Sequence, residues 1–430
     1  MLGSFHRALG RAYRAGRSRG VTLVALAVGS APSFLLPVVV VTTLPLHDSA
    51  AFLLVTSLAM IAFSAIGAPY ETTMLVRFGT RYGASAPLGR APFAHLMVHA
   101  ATRLGPLLIV FLAACVAATL LLSPDLATST VTSIGACLLL QPVVQTASTP
   151  LTAHLYVTRH FAAVYLSSVF RGGPTILVAL LWSQPLAIAI SYTLGELLRV
   201  AYLRWRVSKS LADVPKDKAL DIDPPSWAEL APQSVASMSG QALPLVIQGA
   251  LAASGAQAVA AGSIALRVWG AAFQVGTSTI AMPEVVKLTQ VLSHTSPVRD
   301  ARKHVQRRGV IVLGTSAAMS LVLLGMIAIV VIQPTWRVGD DVAIGLVWSL
   351  TALAGIPPAM LNFWAGRGLV TLGKGWSLPL AVGAGFALGL LVCAFGVPLL
   401  GGLGAMVAQV VNFTVMGLMS SWLLLRCLRR

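Results

Sequence analysis

Residues 243–288 have the sequence LPLVIQGALAASGAQAVAAGSIALRVWGAAFQVGTSTIAMPEVVKL. One apolar run ends in this stretch near Ala253, and a second, from 255 to 283, ends in Met282-Pro283-Glu284. A helix that crosses the bilayer core needs about 20 apolar residues, and both runs are long enough. The second run has Arg267 at its middle, where a charge is costly in lipid. The stretch therefore predicts two consecutive membrane-spanning helices, the second with an embedded cation.

Ten more apolar runs flank these two, so the sequence predicts an all-α polytopic membrane protein with about twelve transmembrane helices. The mean hydropathy of +0.83 and the 57% hydrophobic composition agree with this class. The predicted spans cover residues 21–45, 50–70, 104–123, 127–150, 161–182, 184–203, 229–253, 255–283, 310–332, 341–363, 376–399 and 402–424.

The basic residues are distributed asymmetrically between these spans. Arg199 lies near the end of its span and is counted with the gap that follows. Of the 30 Lys and Arg residues, 27 then fall at the termini and in every second gap, and Arg337 is the single one in the opposite gaps. By the positive-inside rule the crowded side is cytoplasmic, so both termini are expected there. The net charge of +17 and the pI of 10.7 then follow from topology and from anionic lipid, and nucleic acid is not an expected partner.

The spans fall into two six-helix halves that resemble each other. We expect a basic cytoplasmic tail (1–20), an N-lobe (21–203), a polar cytoplasmic linker (204–228), a C-lobe (229–424) and a short cytoplasmic tail (425–430). Ala68-Pro69-Tyr70-Glu71 ends span 2 as Met282-Pro283-Glu284 ends span 8, and a basic segment follows each. After Glu284 the apolar spacing predicts an amphipathic helix on the membrane surface. Repeats of this kind place a transporter's substrate site at their interface.

Glutamines recur on single faces of three predicted helices. Such faces are costly against lipid, so each must look into a neighbouring helix or a wet cavity. For one residue an interhelical hydrogen bond is the simpler explanation, whereas three polar stripes together favour a cavity. The candidate cavity residues are Gln141, Gln145, Gln241, Gln248 and Gln274.

Arg171 and Arg267 lie near the middle of their spans, too far from either end for their charges to reach an interface easily. Two explanations remain open for them: binding of an anionic ligand, or structural bonding to backbone carbonyls. Gly172-Gly173-Pro174 follows Arg171 directly and predicts a break or loosening of that helix.

Three further charged residues are candidates for coupling or gating. Glu196 is the carboxylate well inside an apolar run, and it either pairs with Arg199 one turn away or couples transport to H⁺ or Na⁺. Glu71 and Arg77 lie at the exit of span 2. Coupling to the membrane potential is a further possibility.

Enzymatic chemistry has little support in the sequence. The chain has no G-x-x-x-x-G-K-[ST] phosphate loop, and the longest predicted external gap, around Arg337 to Asp341, is short. His95 and His99 have metal-ligand spacing but no third ligand nearby, and the four cysteines suggest no disulfide framework. We therefore expect neither an enzyme nor a bound metal or cofactor.

The six-plus-six spans, the Pro-Glu exits and the basic segments after both resemble the multidrug, oligosaccharidyl-lipid and polysaccharide (MOP) exporter superfamily. Residues 243–288 look most like the seventh and eighth helices of its polysaccharide and lipid II flippases. The resemblance implies two MATE-like lobes around a cationic central cavity, to which Arg171 and Arg267 would contribute. It also implies alternating access that moves undecaprenyl-pyrophosphate-linked oligosaccharides from the inner to the outer leaflet, by a monomer in the bacterial cytoplasmic membrane. The expected partners are the lipid-linked glycan and membrane lipids.

The resemblance leaves alternatives open within and beyond the superfamily. A lipid II-type flippase usually has 14 spans. A MATE-like drug or cation antiporter usually has an acidic residue in its first helix, and none lies between Val21 and Pro45. A sugar permease of the major facilitator type is a more distant alternative. These departures favour the polysaccharide branch.

Overall fold

The computed structural model describes residues 2–82, 91–122, 126–212, 214, 222–293, 298–332 and 340–428. Within these ranges all regular secondary structure is helical, which confirms the predicted all-α fold. Arg90, Arg337 and residues 215–221 of the predicted linker lie outside the described residues.

In the described residues of the N-terminal half there are nine α-helices, several of which are pieces of one longer segment. A five-residue π-helix, Phe63–Gly67, joins the second helix to the third, and prolines interrupt the segment from Thr128 to Val157. The helices are α1 (Leu2–Thr43), α2 (Leu46–Ala62), α3 (Ala68–Tyr82), α4 (Phe93–Leu122), α5 (Thr128–Leu138), α6 (Gln141–Ala147), α7 (Thr149–Val157), α8 (Phe161–Leu181) and α9 (Pro185–Ser210).

The C-terminal half, over the part that the structure describes, contains eight α-helices. A second π-helix, Thr277–Ala281, lies within its second long segment, and a short 3₁₀ turn, Gly375–Ser377, precedes its penultimate helix. The helices are α10 (Trp227–Ala253), α11 (Ala256–Gly276), α12 (Met282–Ser293), α13 (Val298–Ile332), α14 (Asp340–Leu353), α15 (Ile356–Thr371), α16 (Leu378–Leu400) and α17 (Gly402–Cys427).

The number of membrane spans agrees approximately with the prediction. Ten helical segments are long and apolar enough to cross a bilayer, and α14 with α15, bent by 49°, forms an eleventh, all counted over the described residues. The remaining predicted span is α10, which contains the polar stripe of Gln233, Ser237, Gln241 and Gln248. A polar face of this kind lowers mean hydropathy, as expected for a helix that faces other protein.

The two halves repeat each other in local structure as well as in sequence. Each π-helix stands directly before the proline-containing exit, at Pro69 and at Pro283. The fourth segment breaks at Pro142 and the tenth at Pro357. π-Helical turns are uncommon and concentrate at functional sites, so their repetition directs attention to the interface between the halves.

The halves pack against each other through α1 and α2 on α11, and through α3 on α10 and α12. We call the end of the bundle where α9 ends and α10 begins the linker end, and the opposite one the far end. Large buried side chains such as Phe52, Tyr70 and Trp364 fill the core, while Leu121 and Leu399 on the perimeter are exposed. The exposed apolar perimeter is the surface expected to face lipid.

Several predicted boundaries were wrong. Span 2 continues through the π-helix to Tyr82, and span 10 continues past its bend to Thr371. The predicted surface helix after Glu284 is instead the extension of span 8 as α12, whose Val285 and Leu288 are buried against neighbouring helices. The predicted break after Arg171 is absent, because α8 runs unbroken to Leu181.

Candidate functional site: a central cavity

A cavity of about 620 Å³ lies between the two halves. Its lining comes from α1 to α3 and α6 to α9 on one side, and from α10, α11 and α15 to α17 on the other. The two π-helices contribute Phe63 and Ser64, and Thr277 and Ser278. The cavity thus lies at the repeat interface, as internal repeats predict.

The N-terminal wall of the cavity carries a buried network of two arginines around one carboxylate. Glu196 is fully buried and accepts a hydrogen bond from Arg199 Nε at 2.7 Å, and Arg171 Nη1 lies 3.6 Å from its second oxygen. Arg199 also donates to Ser148 Oγ at 3.0 Å, and Arg171 lies over the Tyr192 ring at 5.7 Å. The Glu196–Arg199 pair, one of the two explanations offered for this carboxylate, is present, and Arg171 joins it, which was not predicted.

Glycines on the packed faces bring this network together. A methyl group at Gly172 would collide with Pro32 of α1, and one at Gly195 would collide with the backbone of Arg171. Close approach of α8 to both α1 and α9 therefore requires these residues, as small residues do in membrane helix packing. Gly172, predicted to loosen the helix, instead serves helix contact.

Arg267 lies on the opposite side of the cavity and is anchored without a carboxylate. Its Nη2 donates to the carbonyl oxygen of Leu53 at 3.0 Å and to Thr56 Oγ1, both in α2. Its Nε is buried without a partner, and among the described residues no acidic side chain lies within ion-pair distance. Arg171 is near enough for its charge to act on Arg267. Arg267 thus bonds to a backbone carbonyl, as the structural explanation requires, and binding of an anionic ligand stays a prediction.

A fourth arginine, Arg367 of α15, lines the cavity and was missed from the sequence. Its guanidinium carbon lies 4.7 Å from the centre of the Phe363 ring, and its charge acts on Glu71. Arg367 falls in a predicted cytoplasmic gap, because the predicted span 10 ends at residue 363. The apolar residues Leu369 and Val370 beyond it were the available signal that the helix continues.

Glu71 lines the cavity one turn beyond the first π-helix, where the charges of Arg367 and Arg199 act on it. Its repeat counterpart Glu284 differs, since it pairs with Lys287 at 2.7 Å and Arg308 at 3.2 Å. Over the described residues, the cavity lining holds four guanidinium groups, Arg171, Arg199, Arg267 and Arg367, and one carboxyl group, Glu71. A second carboxylate, Glu196, does not line the cavity, but it is fully buried and pairs with Arg171 and Arg199. This imbalance makes the cavity a favourable environment for an anion.

Four of the five candidate glutamines line the cavity: Gln145, Gln241, Gln248 and Gln274. Gln141 does not, because it lies fully buried behind Gln145 and donates to its side-chain oxygen at 2.9 Å. Its place in the polar stripe is explained by this amide pair. Gln409 of α17, which was not among the candidates, also lines the cavity and is 2% exposed.

The C-terminal wall is aromatic. The Trp269 ring stacks with Phe413 at 4.8 Å between centroids and with Phe273 at 5.1 Å, and Phe273 meets Phe363 edge-on at 6.4 Å. All four rings are partly exposed and line the cavity. The i, i+4 spacing of Trp269 and Phe273 was visible in the sequence and predicts a shared helix face.

Polar contacts between the halves close the linker end. Arg77 Nη2 lies 2.6 Å from Glu229 Oε2, and Arg77 also donates to the carbonyl of Asp223. Buried Gln233 donates to Thr73 Oγ1 at 2.9 Å. Arg77, a predicted gating residue, thus lies where α3 of one half meets α10 of the other. The part of the chain that the structure describes holds no cluster of three or more metal-ligating side chains.

Solved structures share this fold over almost the whole chain. The MATE transporter VcmN of Vibrio cholerae, as an aspartate-to-asparagine mutant, is 16% identical with a TM-score of 0.67, and 96% of each chain is covered. A multidrug resistance MATE family transporter of the MOP superfamily in its outward-facing conformation is 10% identical, with a TM-score of 0.66 and 96% of each chain covered. The eukaryotic MATE transporter AtDTX14 is 15% identical with a TM-score of 0.59, and the match covers 95% of this chain and 94% of that one.

No protein-family model and no curated protein matches the sequence. The chain therefore has the MATE-like fold that its resemblance to the MOP superfamily implied.

Proposed function

We propose that this protein is a membrane transporter that moves an anionic, lipid-linked oligosaccharide, of the undecaprenyl-pyrophosphate type, from the inner to the outer leaflet. The observation that carries the proposal is the surplus of arginine in a cavity enclosed between two repeated halves. An embedded arginine costs at least about 2.5–3.5 kcal/mol, so four in one cavity call for a compensating function.

The chemistry of the substrate accounts for the composition of the walls. A pyrophosphate accepts charge-assisted hydrogen bonds, which are stronger than neutral ones, and guanidinium groups bind it in bidentate geometry. The polyprenyl tail needs no polar path because it can stay in lipid. A cavity of about 620 Å³ lies within the range of ligand sites and holds a head group with its first sugars.

The contacts between the halves support alternating access. Those at the linker end include two polar pairs, Arg77 with Glu229 and Thr73 with Gln233. Arg267 on Leu53 joins the halves deeper in the bundle. With the linker end on the cytoplasmic side, as the basic residues predict, separation of these contacts would admit substrate from the inner leaflet.

A drug or cation antiporter is the second candidate, because the shared fold is that of MATE transporters and the cavity has an aromatic wall. The charge of the cavity argues against it. A cationic drug would meet four arginines, and α1 carries no acidic residue between Val21 and Thr43.

The test is transport of a defined substrate by purified protein in liposomes. We expect a fluorescent polyprenyl-pyrophosphate glycan to become accessible to a reagent on the opposite leaflet, and the Arg171→Gln variant to reduce this at least about tenfold. Arg204→Gln, at an exposed position outside the cavity, is the matched control. Export of a cationic dye with no movement of the glycan would assign the protein to the antiporter class instead.

A further inference from the structure

We infer that the aromatic wall of the C-terminal half is a carbohydrate subsite, in which a sugar ring stacks against the Trp269–Phe413 pair and hydrogen-bonds to Gln248 and Gln409. The inference rests on the proposed function and adds to it a second binding element, separate from the arginines. The ligand class is a neutral or N-acetylated hexose joined to the pyrophosphate.

The first support is the position of unpaired polar atoms. The side-chain oxygens of Gln248 and Gln409 are buried without hydrogen-bond partners, although both residues line the cavity and are only 4% and 2% exposed. Leaving a buried acceptor unpaired is energetically costly, so such atoms call for a donor. Trp269 Nε1 is likewise buried with no acceptor, and this adds one donor to the two acceptors.

The second support is the helical geometry that gathers these groups. Trp269 and Phe273 are one turn apart on α11, and Gln409 and Phe413 are one turn apart on α17. Trp269 and Phe273 therefore share one face of α11, and Gln409 and Phe413 share one face of α17. Stacking of Trp269 on Phe413 joins the two faces, while α10 brings Gln248 to the same cavity.

Together these groups match the surface of a pyranose ring. A sugar has a face of C–H groups, which packs on an aromatic ring, and a rim of hydroxyls, which both donate and accept. Two amide acceptors and an indole donor beside aromatic faces complement both features. The glutamines of the N-terminal half differ, since Gln141 and Gln145 bond to each other.

The charges near this wall exclude the other common ligand of aromatic cavities. Aromatic rings also bind organic cations, but Arg367 already lies over the Phe363 ring at 4.7 Å. Arg267 lies two residues from Trp269 on the same helix and also lines the cavity. A second cation would be repelled, whereas an uncharged ring whose attached phosphate reaches the arginines would not.

Two probes test the subsite: farnesyl diphosphate, and farnesyl diphosphate carrying one N-acetylhexosamine, titrated calorimetrically into the full-length protein in detergent. We expect the glycosylated probe to bind at least about tenfold more tightly. Trp269→Leu and Gln248→Leu should each abolish most of this difference and leave affinity for the sugar-free probe unchanged. Trp422→Leu, at an exposed tryptophan on the perimeter of α17, should leave both affinities unchanged.

The outcomes separate the two proposals. If both probes bind equally well and the Trp269 variant changes neither affinity, the subsite is refuted and the anion site stands. If neither probe binds the unmodified protein, the proposed function fails, and the subsite with it. Trp269→Leu removes a large side chain, so thermal unfolding is used to check that this variant folds. If it does not fold, the test of the subsite rests on Gln248→Leu, which nearly conserves side-chain volume.

Discussion

Arg267 of α11 holds the carbonyl oxygen of Leu53 in α2 at 3.0 Å, so a cation of one half is bonded to the backbone of the equivalent helix of the other. The two residues are 214 positions apart, nearly the 213 that separate Glu71 from Glu284. The bond therefore crosses the interface about which the halves repeat. Nη2 of the guanidinium anchors it, and the Nε is buried without a hydrogen-bond partner.

Substitutions of Arg267 should distinguish the contribution of its charge from that of its hydrogen bonds to α2. We expect Arg267→Gln to lower transport at least about tenfold and to weaken binding of farnesyl diphosphate by about 1.5–3 kcal/mol, the range for hydrogen bonds to charged groups. Arg267→Lys should recover part of both, since it keeps the charge but not the planar fork. The measurements are liposome transport and calorimetry, with Arg204→Gln as control. Normal binding and transport by the Gln variant would make this arginine purely structural.

Glu196 should be a determinant of stability, because its carboxylate faces both Arg171 and Arg199. Removing one partner of a buried ion pair costs about 3–5 kcal/mol, so Glu196→Gln should lower the thermal unfolding temperature clearly. Adding Arg171→Gln should cost less than the sum of the two single changes, since the pair is coupled.

Glu229→Gln is the control for this experiment, because the partly exposed Glu229–Arg77 pair should contribute at most about 1 kcal/mol. Strict additivity of the Glu196 and Arg171 changes in the unfolding measurements would contradict the network.

Gly195 should not tolerate a methyl group. Gly195→Ala would press α9 against the backbone of Arg171, and overpacking of this kind costs about 1–3 kcal/mol. A methyl group at Gly314 of α13 would meet no described atom within 4 Å, so Gly314→Ala should be neutral or slightly stabilising through helix propensity. The measurement is the thermal unfolding temperature of the two variants. Equal values would show that α8 and α9 are packed less tightly than the structure indicates.

The spans and their repeat could be predicted from the sequence because apolar length and charge asymmetry are local properties. Reliance on these local properties also caused the errors in the predicted ends of the spans. Arg367 falls in a predicted loop because a charge suggests the end of a span, yet α15 continues for four residues beyond it. A cavity-lining arginine looks the same in sequence as an interfacial one, and the distinction depends on which helix packs alongside.

The composition of the cavity was predictable in kind but not in pairing. Polar residues are rare in long apolar runs, so the sequence alone identified Arg171, Arg267 and most of the glutamines. Nothing in the sequence links Arg171 to Glu196 on the next helix, since that contact requires Gly195 to bring the backbones together. The stacked Trp269 and Phe413 come from helices far apart in the chain, so their wall was visible in the structure alone.

The orientation of the bundle is tested by labelling single cysteines in a variant that lacks the four native ones. His47→Cys and Ser254→Cys are exposed at the far end, and Ser208→Cys and Lys374→Cys at the linker end. From the charge asymmetry we expect an impermeant thiol reagent to label the far-end cysteines from outside intact cells. The linker-end cysteines should be labelled only after the cells are permeabilised. The reverse result would place the linker outside and reverse the proposed direction of transport.

The contact between Thr73 and Gln233 allows the proposed motion to be blocked directly. Both side chains are buried and meet at 2.9 Å across the two halves at the linker end, so cysteines at these positions can be joined by a short bifunctional reagent. If the halves must part there to admit substrate, the crosslinked protein should lose at least about 90% of glycan transport, and cleavage of the crosslink should restore it. Thr73→Cys and Gln233→Cys alone, treated with the same reagent, control for modification. Full transport with complete crosslinking would mean that the linker end stays closed throughout the cycle, and entry would then have to occur between helices nearer the centre of the bundle.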